Sequence, residues 1–437
     1  MKRSKRGTKH LNTVGACLGL VVGGTGVLHA QSTDLPSAGT NKVEKLEKEN
    51  QELRQRLDAL EAMAQKEGLM PSGSKADPPV SAFSQITLSG FVTTSFFHDS
   101  SDPPASIGYE IPGYLWNREN NAFTLNKVKI TLASPEVVNN GDKFDAGYRV
   151  SLIAGQDAPY VNTSSSSTGF DFVREAYVDL NIPIGTGLDV RMGELISLLN
   201  YESGDGGAVN ANFSQGFQWF FTGNPPGAGL QLGYKFTDWL GAKFRVQNGM
   251  YSGEFGSSSS KTFMGSIDLK PMDKLWFSLL GFGGRQDEAF VQSLWGLSLL
   301  GGWQATEKLG LGTELDYFSF YNPSTYAAPG DSPVWSTGLW VTYDFTKKIG
   351  VAVRGEYLSD KDGVDAAAGG VGAPLGFLNP VGTGQDLTSV ALTLNYKPLP
   401  AIKIQPEIRF DHTSWSGGFV PGKQNRVVYG VGVSYLF

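Results

Sequence analysis

The segment that decides the fold lies near the carboxyl terminus: Ile402-Lys403-Ile404-Gln405-Pro406-Glu407-Ile408-Arg409-Phe410-Asp411. Apolar and polar side chains alternate along it, and side chains that alternate in a β-strand point to opposite faces of the sheet. Residues 426–437 repeat the pattern, with Val, Tyr and Phe on one face and Arg, Gly and Ser on the other. A soluble sheet would turn the polar face to bulk water, whereas a membrane barrel would line its lumen with that face and turn the apolar face to lipid.

The connections between such segments alternate between short and long. Compact turns occur near Pro135–Asp142, Pro183–Gly187, Thr237–Asp238, Pro271–Asp273, Thr306–Glu307, Thr346–Lys347 and Pro398–Pro400. Longer connections rich in Gly, Ser and Asp lie between them, at 99–121, 156–169, 200–226 and 361–384. Short periplasmic turns and long external loops are typical of outer-membrane barrels.

The turns also predict the number of strands. Seven turns make seven hairpins, and one strand before and one after them bring the total to sixteen. We therefore expect an all-β fold, a sixteen-stranded antiparallel transmembrane β-barrel over residues 85–437, in which the strand that begins at Ile86 pairs with the strand that ends at Phe437. The alternative is a large soluble β-sandwich or propeller, but the sequence shows no blade-like repeat.

The composition fits many strands joined by glycine-rich turns. The chain has 437 residues, with 56 Gly, 12% aromatic residues and only 18% charged residues, below the quarter that is usual for soluble domains. Aromatic residues cluster at the expected strand ends, where amphipathic rings form girdles at the lipid headgroups. The expected girdle residues are Trp239, Trp276, Trp295, Trp303, Trp335, Trp340, Tyr343, Phe345, Tyr396, Tyr435 and Phe437.

Residues 1–30 resemble a secretory signal peptide. Five Lys and Arg residues precede the apolar stretch Val14–Leu28, and Leu28-His29-Ala30 offers a cleavage site before Gln31. The alternatives are an uncleaved membrane anchor and a lipoprotein acylated at Cys17. Cleavage would remove the only cysteine and change the formal net charge from −6 to −11. The acidic mature chain argues against a nucleic-acid partner.

Residues 42–64 have a different, helical period. Apolar positions recur at spacings of three and four, which predicts a periplasmic coiled coil. Its expected seam is Val43, Leu46, Asn50, Leu53, Leu57 and Leu60. The segment Arg56–Glu61 resembles a motif of parallel trimers, whereas Asn50 at a core position is often associated with dimers. We expect a homotrimer, with a lone solvated helix as the alternative, and a Pro/Gly/Ser-rich linker over 65–84.

A family resemblance over roughly residues 85–437 rests on Leu88–Val92, Asn117–Asn126, Arg174–Val178, Asn212–Ser214 and Pro225–Gly227. In these segments the barrel resembles outer-membrane porins of the OmpL-like porin-2 type, with general-porin architecture. The resemblance implies an outer-membrane channel for passive diffusion of small hydrophilic solutes or ions. A terminal Phe437 resembles the signal by which the barrel assembly machinery recognises its substrates.

In such a pore the third external loop, expected at 200–226, would fold inward and narrow the lumen. It carries Glu202 and Asp205, with glycines that allow tight folding. Basic residues of the inner face would oppose these acids across the pore and set a transverse field. Those expected on the inner face are Lys127, Lys129, Arg149, Arg191, Arg409 and Arg426. The alternative is that these bases solvate the lumen or pair with acids such as Glu175, Asp179, Asp189 and Glu407.

Other functions have weaker support. His98 and His412 stand beside acids, but no motif supplies a nucleophile, so we expect no enzyme, and no cofactor or metal. The second candidate function is structural: an adhesin-like barrel, or an envelope tether with a plugged lumen. In that case the coiled coil would bind peptidoglycan or a periplasmic partner.

Deletion of residues 31–64 tests the coiled coil. If three helices associate, the deletion will lower the temperature at which purified oligomers dissociate to monomers on an unheated denaturing gel, because association energy is lost. An unchanged dissociation temperature would contradict a role of residues 42–64 in assembly.

Overall fold

The computed structural model describes Lys48 and residues 86–104, 110–114, 116–161, 172–222, 227–249, 261–285, 293–322, 330–363 and 383–437. The predicted signal peptide, the coiled coil apart from Lys48, and the linker lie outside the described residues. Within these ranges, no helix is both long enough and apolar enough to cross a membrane.

Sixteen antiparallel strands form one closed barrel, and each strand pairs with its neighbours in sequence. The strands are β1 Thr87–Asp99, β2 Ala122–Ala133, β3 Asp145–Ala154, β4 Val173–Ile182, β5 Leu188–Leu195, β6 Gly227–Lys235, β7 Leu240–Asn248, β8 Lys261–Met272, β9 Leu275–Arg285, β10 Ser293–Gln304, β11 Leu309–Asn322, β12 Gly330–Asp344, β13 Ile349–Asp360, β14 Gln385–Tyr396, β15 Ile402–Thr413 and β16 Asn425–Leu436. The predicted strand number is confirmed. Two short α-helices, α1 (Ala158–Val161) and α2 (Phe217–Thr222), and one 3-10 turn (Gly206–Ala208) lie in the described connections.

The barrel closes where the first strand meets the last. Phe91 of β1 pairs with Leu436 of β16, and Asp99 pairs with Val428 at the other end of the ladder. The backbone N–H of Phe437 donates to the Gly90 carbonyl at 3.0 Å, and the Gly90 N–H donates back to Phe437 at 2.9 Å. Closure leaves the sheet without an unpaired edge, which is the condition for β-structure in a bilayer.

The alternation of side chains in β15 matches the expectation. Lys403, Glu407 and Arg409 are buried on the inner face, whereas Ile408 and Phe410 are exposed on the outer face. Each of the seven predicted compact turns joins two hydrogen-bonded neighbouring strands, from β2–β3 to β14–β15. The long connections therefore all lie at the opposite end of the barrel.

Described residues of four long connections pack inside the barrel. They belong to loop L1 (residues 100–121), the β3–β4 connection that holds α1, loop L3 (196–226) and loop L8 (414–424). Trp116 of L1 meets Trp219 of L3 edge to face, with ring centroids 4.1 Å apart. Phe217 of L3 stacks on Phe419 of L8 at 6.3 Å. Phe217 and Trp219 thus belong to a core of apolar side chains within the lumen.

Residues 213 and 214 of loop L3 lie against β15 and β16. Phe213 lies over Gly432 of β16, where any side chain larger than hydrogen would overlap its ring. Glu407 of β15 accepts the backbone N–H groups of Phe213 and Ser214 at 2.7 and 3.1 Å. A buried carboxylate is thereby satisfied by loop backbone donors, which fixes the loop's position on this wall.

Arg354 of β13 anchors the middle of L3. Its side chain has no exposed surface, and its guanidinium lies 3.0 Å from Glu202 of the loop and 3.1 Å from Glu356 on the same strand. The same group donates to the Ser214 carbonyl at 2.5 Å. One buried cation therefore holds two carboxylates and a loop carbonyl, so its removal would leave buried charge without a partner.

Replacement of Arg354 by Met tests this anchor. Loss of one partner of a buried ion pair costs about 3–5 kcal/mol, so we expect a lower unfolding temperature and new protease cleavage within L3. Lys243→Met is the matched control, because its ion pair with Asp268 is partly exposed and is worth about 1 kcal/mol or less. Equal unfolding temperatures and equal cleavage for the two variants would contradict the anchor.

Candidate functional site: the charged wall of the lumen

The structure places the six bases that were expected on the inner face on five strands. Lys127 and Lys129 lie on β2, Arg149 on β3, Arg191 on β5, Arg409 on β15 and Arg426 on β16. Each forms an ion pair with at least one acid. Their exposure to water divides them into two groups.

The first group is buried beneath the loops. Lys127 lies 3.1 Å from Asp157, and Lys129 lies 2.6 Å from Asp205 of L3. Arg409 is 2.6 Å from Asp411, and Arg426 contacts Asp411 and Asp99 at 3.0 and 3.3 Å. These four cations are neutralised by contact acids, so they hold the loops to the wall rather than meet solutes.

Aromatic rings complete the surroundings of Arg409 and Arg426. The Arg409 guanidinium lies 4.5 Å from the ring centroids of Tyr114 and Phe217. The Arg426 guanidinium lies 4.0 Å from Phe419 and 4.9 Å from Tyr114. Cation–π contacts of this kind strengthen when water is excluded, and here they join L1, L3 and L8 to the same wall.

Glu202 and Asp205 touch the wall directly. Asp205 lies between Lys129 at 2.6 Å and Arg174 of β4 at 3.4 Å, and Glu202 contacts Arg354. Gly206 follows with φ +75°, a backbone conformation that favours glycine. The sequence led us to expect these acids opposite the bases across open water. The structure instead brings them into contact, because a buried carboxylate needs a partner.

Burial and charge act differently on these two loop acids, which lie outside the spanning strands. Burial raises the pKa of Glu202 above its ordinary value, against the opposing effect of Arg354. Burial also acts to raise the pKa of Asp205, but the charges of Arg174 and Lys129 outweigh it, and the pKa lies below its ordinary value. Asp205 is therefore the more firmly ionised of the two.

The second group of bases remains in contact with water. Arg149 and Arg191 retain 40% and 34% of their side-chain exposure. Lys243 of β7, which was not among the predicted bases, retains 39%. The three cations occupy alternate strands β3, β5 and β7, and we call them the exposed cation row. The alternation along β7, with polar Lys243 and Arg245 opposite apolar Phe244, was a signal for Lys243.

Acids accompany the row but are less accessible. Glu175 lies 2.6 Å from Arg149 and is almost fully buried. Asp179 and Asp189 flank Arg191 at 3.3 and 3.4 Å, with 14% exposure each. Asp268 lies 2.6 Å from Lys243 and is 29% exposed. Each cation of the row is thus more exposed than the acids with which it pairs.

Other chemistry has little support in the described residues. His98 and His412 each contact an asparagine amide oxygen at 2.8 Å, Asn121 and Asn425 respectively. Among the residues that the structure describes, no three His, Cys, Asp or Glu side chains group as metal ligands. Further basic residues of the wall, outside the six expected bases, are Arg174, Arg245, Arg354 and Lys403, all buried.

Solved structures share this architecture. An anion-selective porin from Comamonas acidovorans matches with a TM-score of 0.53 at 12% identity, over 80% of this chain and 99% of that one. The trimer form of OmpT from Vibrio cholerae matches with a TM-score of 0.51 at 12% identity, over 80% and 99%. The outer-membrane channel DcaP of Acinetobacter baumannii matches with a TM-score of 0.50 at 13% identity, over 80% and 97%. At these identities the likeness shows the fold alone.

No curated protein sequence matches the chain. A family model does: that of the OmpL-like beta-barrel porin-2 family, over residues 85–437. The fold and the family are those of a channel rather than an enzyme. The chain belongs to the OmpL-like beta-barrel porin-2 family and is an outer-membrane porin.

Proposed function

We propose that small hydrophilic solutes and ions diffuse passively through the lumen along the wall formed by β3–β8. The observation that carries this is the unequal exposure of the wall. The bases of β2, β15 and β16 are buried against L1, L3 and L8, whereas Arg149, Arg191 and Lys243 keep about a third or more of their surface. Water-filled space therefore lies beside the exposed cation row.

The row also supports a preference for anions. Charges that line a narrow pore bias the sign of the ions that pass, and the accessible charges here are mainly positive. One solved structure of similar fold is an anion-selective porin. We infer that this channel admits small anions more readily than cations of equal size.

Joint replacement of Arg149 and Arg191 by Gln tests the preference. We expect the reversal potential under a salt gradient in planar bilayers to move toward that of a cation-selective pore, because two accessible positive charges are lost. Lys347→Gln with Lys348→Gln is the control, since it removes the same charge from the exposed β12–β13 turn. A reversal potential equal to wild type in the Arg149/Arg191 variant would contradict the proposal.

We further propose that the porin works as a homotrimer. A similar solved structure is the trimer form of OmpT. The outer face of β1 and β2 presents Phe123, 91% exposed, with its ring 5.0 Å from Phe96, and the heptads of residues 42–64 favour association. Binding of that segment to peptidoglycan, and recognition of Phe437 by the assembly machinery, remain predictions from sequence.

Single-channel recording tests the pore and the trimer together. Three pores per particle should insert and close in conductance steps that come in threes. The second candidate function, an envelope tether, is favoured by the packing of L1, L3 and L8 within the lumen. A silent bilayer containing folded protein would support the tether, and single unlinked steps would contradict the trimer.

A further inference from the structure

Three aromatic rings lie side by side on the inner face of β9–β12. Trp276 of β9 pairs across the sheet with Gly302 of β10, Gly302 with Gly312 of β11, and Gly312 with Trp340 of β12. The two strands between the tryptophans thus carry glycines, which have no side chain beyond a hydrogen atom, at the positions that separate them. We call Trp276, Trp340 and Tyr201 of L3, whose ring lies between the two, the aromatic strip.

The glycines form the floor of this strip. A Cβ atom at Gly302 would overlap the Trp276 indole, and one at Gly312 would overlap the Tyr201 ring. The Tyr201 and Trp276 rings are nearly parallel, 10° apart, with centroids at 6.2 Å. Tyr201 and Trp340 lie 4.7 Å apart. Tyr201 therefore lies against both tryptophans, above the glycines of the wall.

The strip is closed at one end and open at the other. Trp340 is 4% exposed and donates its indole N–H to Glu202 at 3.0 Å. Trp276 is 40% exposed. From their places near strand ends we expected both residues in the lipid girdle. That expectation is wrong, because both alternate onto the inner face. Membrane anchoring therefore does not account for the exposed indole of Trp276.

A cavity of about 450 Å³ adjoins the open end. Its lining includes Trp276, Leu198 and Leu300, together with the polar residues Lys243, Asp268 and Ser278. Lys243 lies 2.6 Å from Asp268, and the Ser278 hydroxyl donates to the same carboxylate at 2.6 Å. An apolar aromatic face thus meets a compact set of hydrogen-bonding groups, within a volume that suits a small ligand.

We propose that this cavity binds a saccharide in transit, an interpretation that rests on the proposed channel function. A pyranose ring has one face of C–H groups that can lie on an indole, and hydroxyls at its rim that can donate to Asp268 and accept from Lys243. Lys243 is already paired with Asp268, and the rim lysines Lys235 and Lys270 are paired with Asp238 and Asp273. An anionic ligand such as an aromatic carboxylate would therefore have to compete with these acids for a cation. The mixed chemistry matches a neutral ring rich in hydroxyl groups.

Maltose, a disaccharide, serves as the probe in planar bilayers containing the full-length porin. We expect maltose to reduce the ion current saturably, because a sugar on Trp276 narrows the water path. Trp276→Leu should raise the half-blocking concentration about five- to tenfold, the loss of one stacking contact, and Trp276→Phe should restore part of the effect. Trp303→Leu is the matched control, because Trp303 neighbours this region but points outward and is 44% exposed.

The outcomes separate the saccharide site from the channel itself. A conducting wild-type pore with no saturable block, or with block only by benzoate, overturns the saccharide site and leaves the channel standing. Equal half-blocking concentrations for wild type and Trp276→Leu also overturn it. Asp268→Asn, expected to weaken block several-fold through the rim contacts, provides a second variant if Trp276→Leu does not fold. A folded protein without conductance overturns both proposals.

Discussion

The structure depends on one constraint: backbone N–H and C=O groups within a bilayer must pair with each other, because lipid offers them no partner. A closed sheet of sixteen strands meets this condition, and β1 and β16 complete it. The outer face is then obliged to be apolar, and the inner face is free to be polar. The period of two along residues 402–411 is the direct consequence of that division.

A barrel of this size encloses more space than its own inner side chains can fill. In this barrel the described loop residues fill the remaining space of the lumen unevenly. Loops L1, L3 and L8 build a core of aromatic rings and buried ion pairs against one part of the wall, and the exposed cation row lies on another. The charges of the lumen thus have two roles. Those around Arg354, Arg409 and Arg426 position loops, and those of Arg149, Arg191 and Lys243 face water.

The sequence predicted the fold well because strand period and turn chemistry are local. Seven turns were enough to count sixteen strands, and alternation indicated the inner face for Lys127, Arg149 and Arg409. The pairing of those bases could not be predicted in the same way. Asp205 reaches Lys129, and Glu202 reaches Arg354 more than 100 residues away, through the path of a loop that no local pattern describes.

The placement of two tryptophans was also beyond what local sequence pattern could predict. Trp276 and Trp340 lie near strand ends, where girdle residues are common, and position alone suggested lipid. The decisive facts were their parity along β9 and β12 and the glycines at 302 and 312 on intervening strands. Those glycines lie beside Trp276 only across the sheet. The space that they leave for the indole can therefore be recognised only when the strand register is known.

The pairing of β1 with β16 also determines how the protein must fold. Thr93 and Ser434, which share a hydrogen bond across this seam, are 341 residues apart in sequence. Contacts of such separation form late and slowly, because a long chain must be ordered before they can be made. Until the last strand arrives, the growing sheet carries two unpaired edges that can join other β-strands. During biogenesis, closure of this barrel therefore competes kinetically with aggregation. A chain that lacked β1 or β16 could not form the closing pair and would keep its edges unpaired.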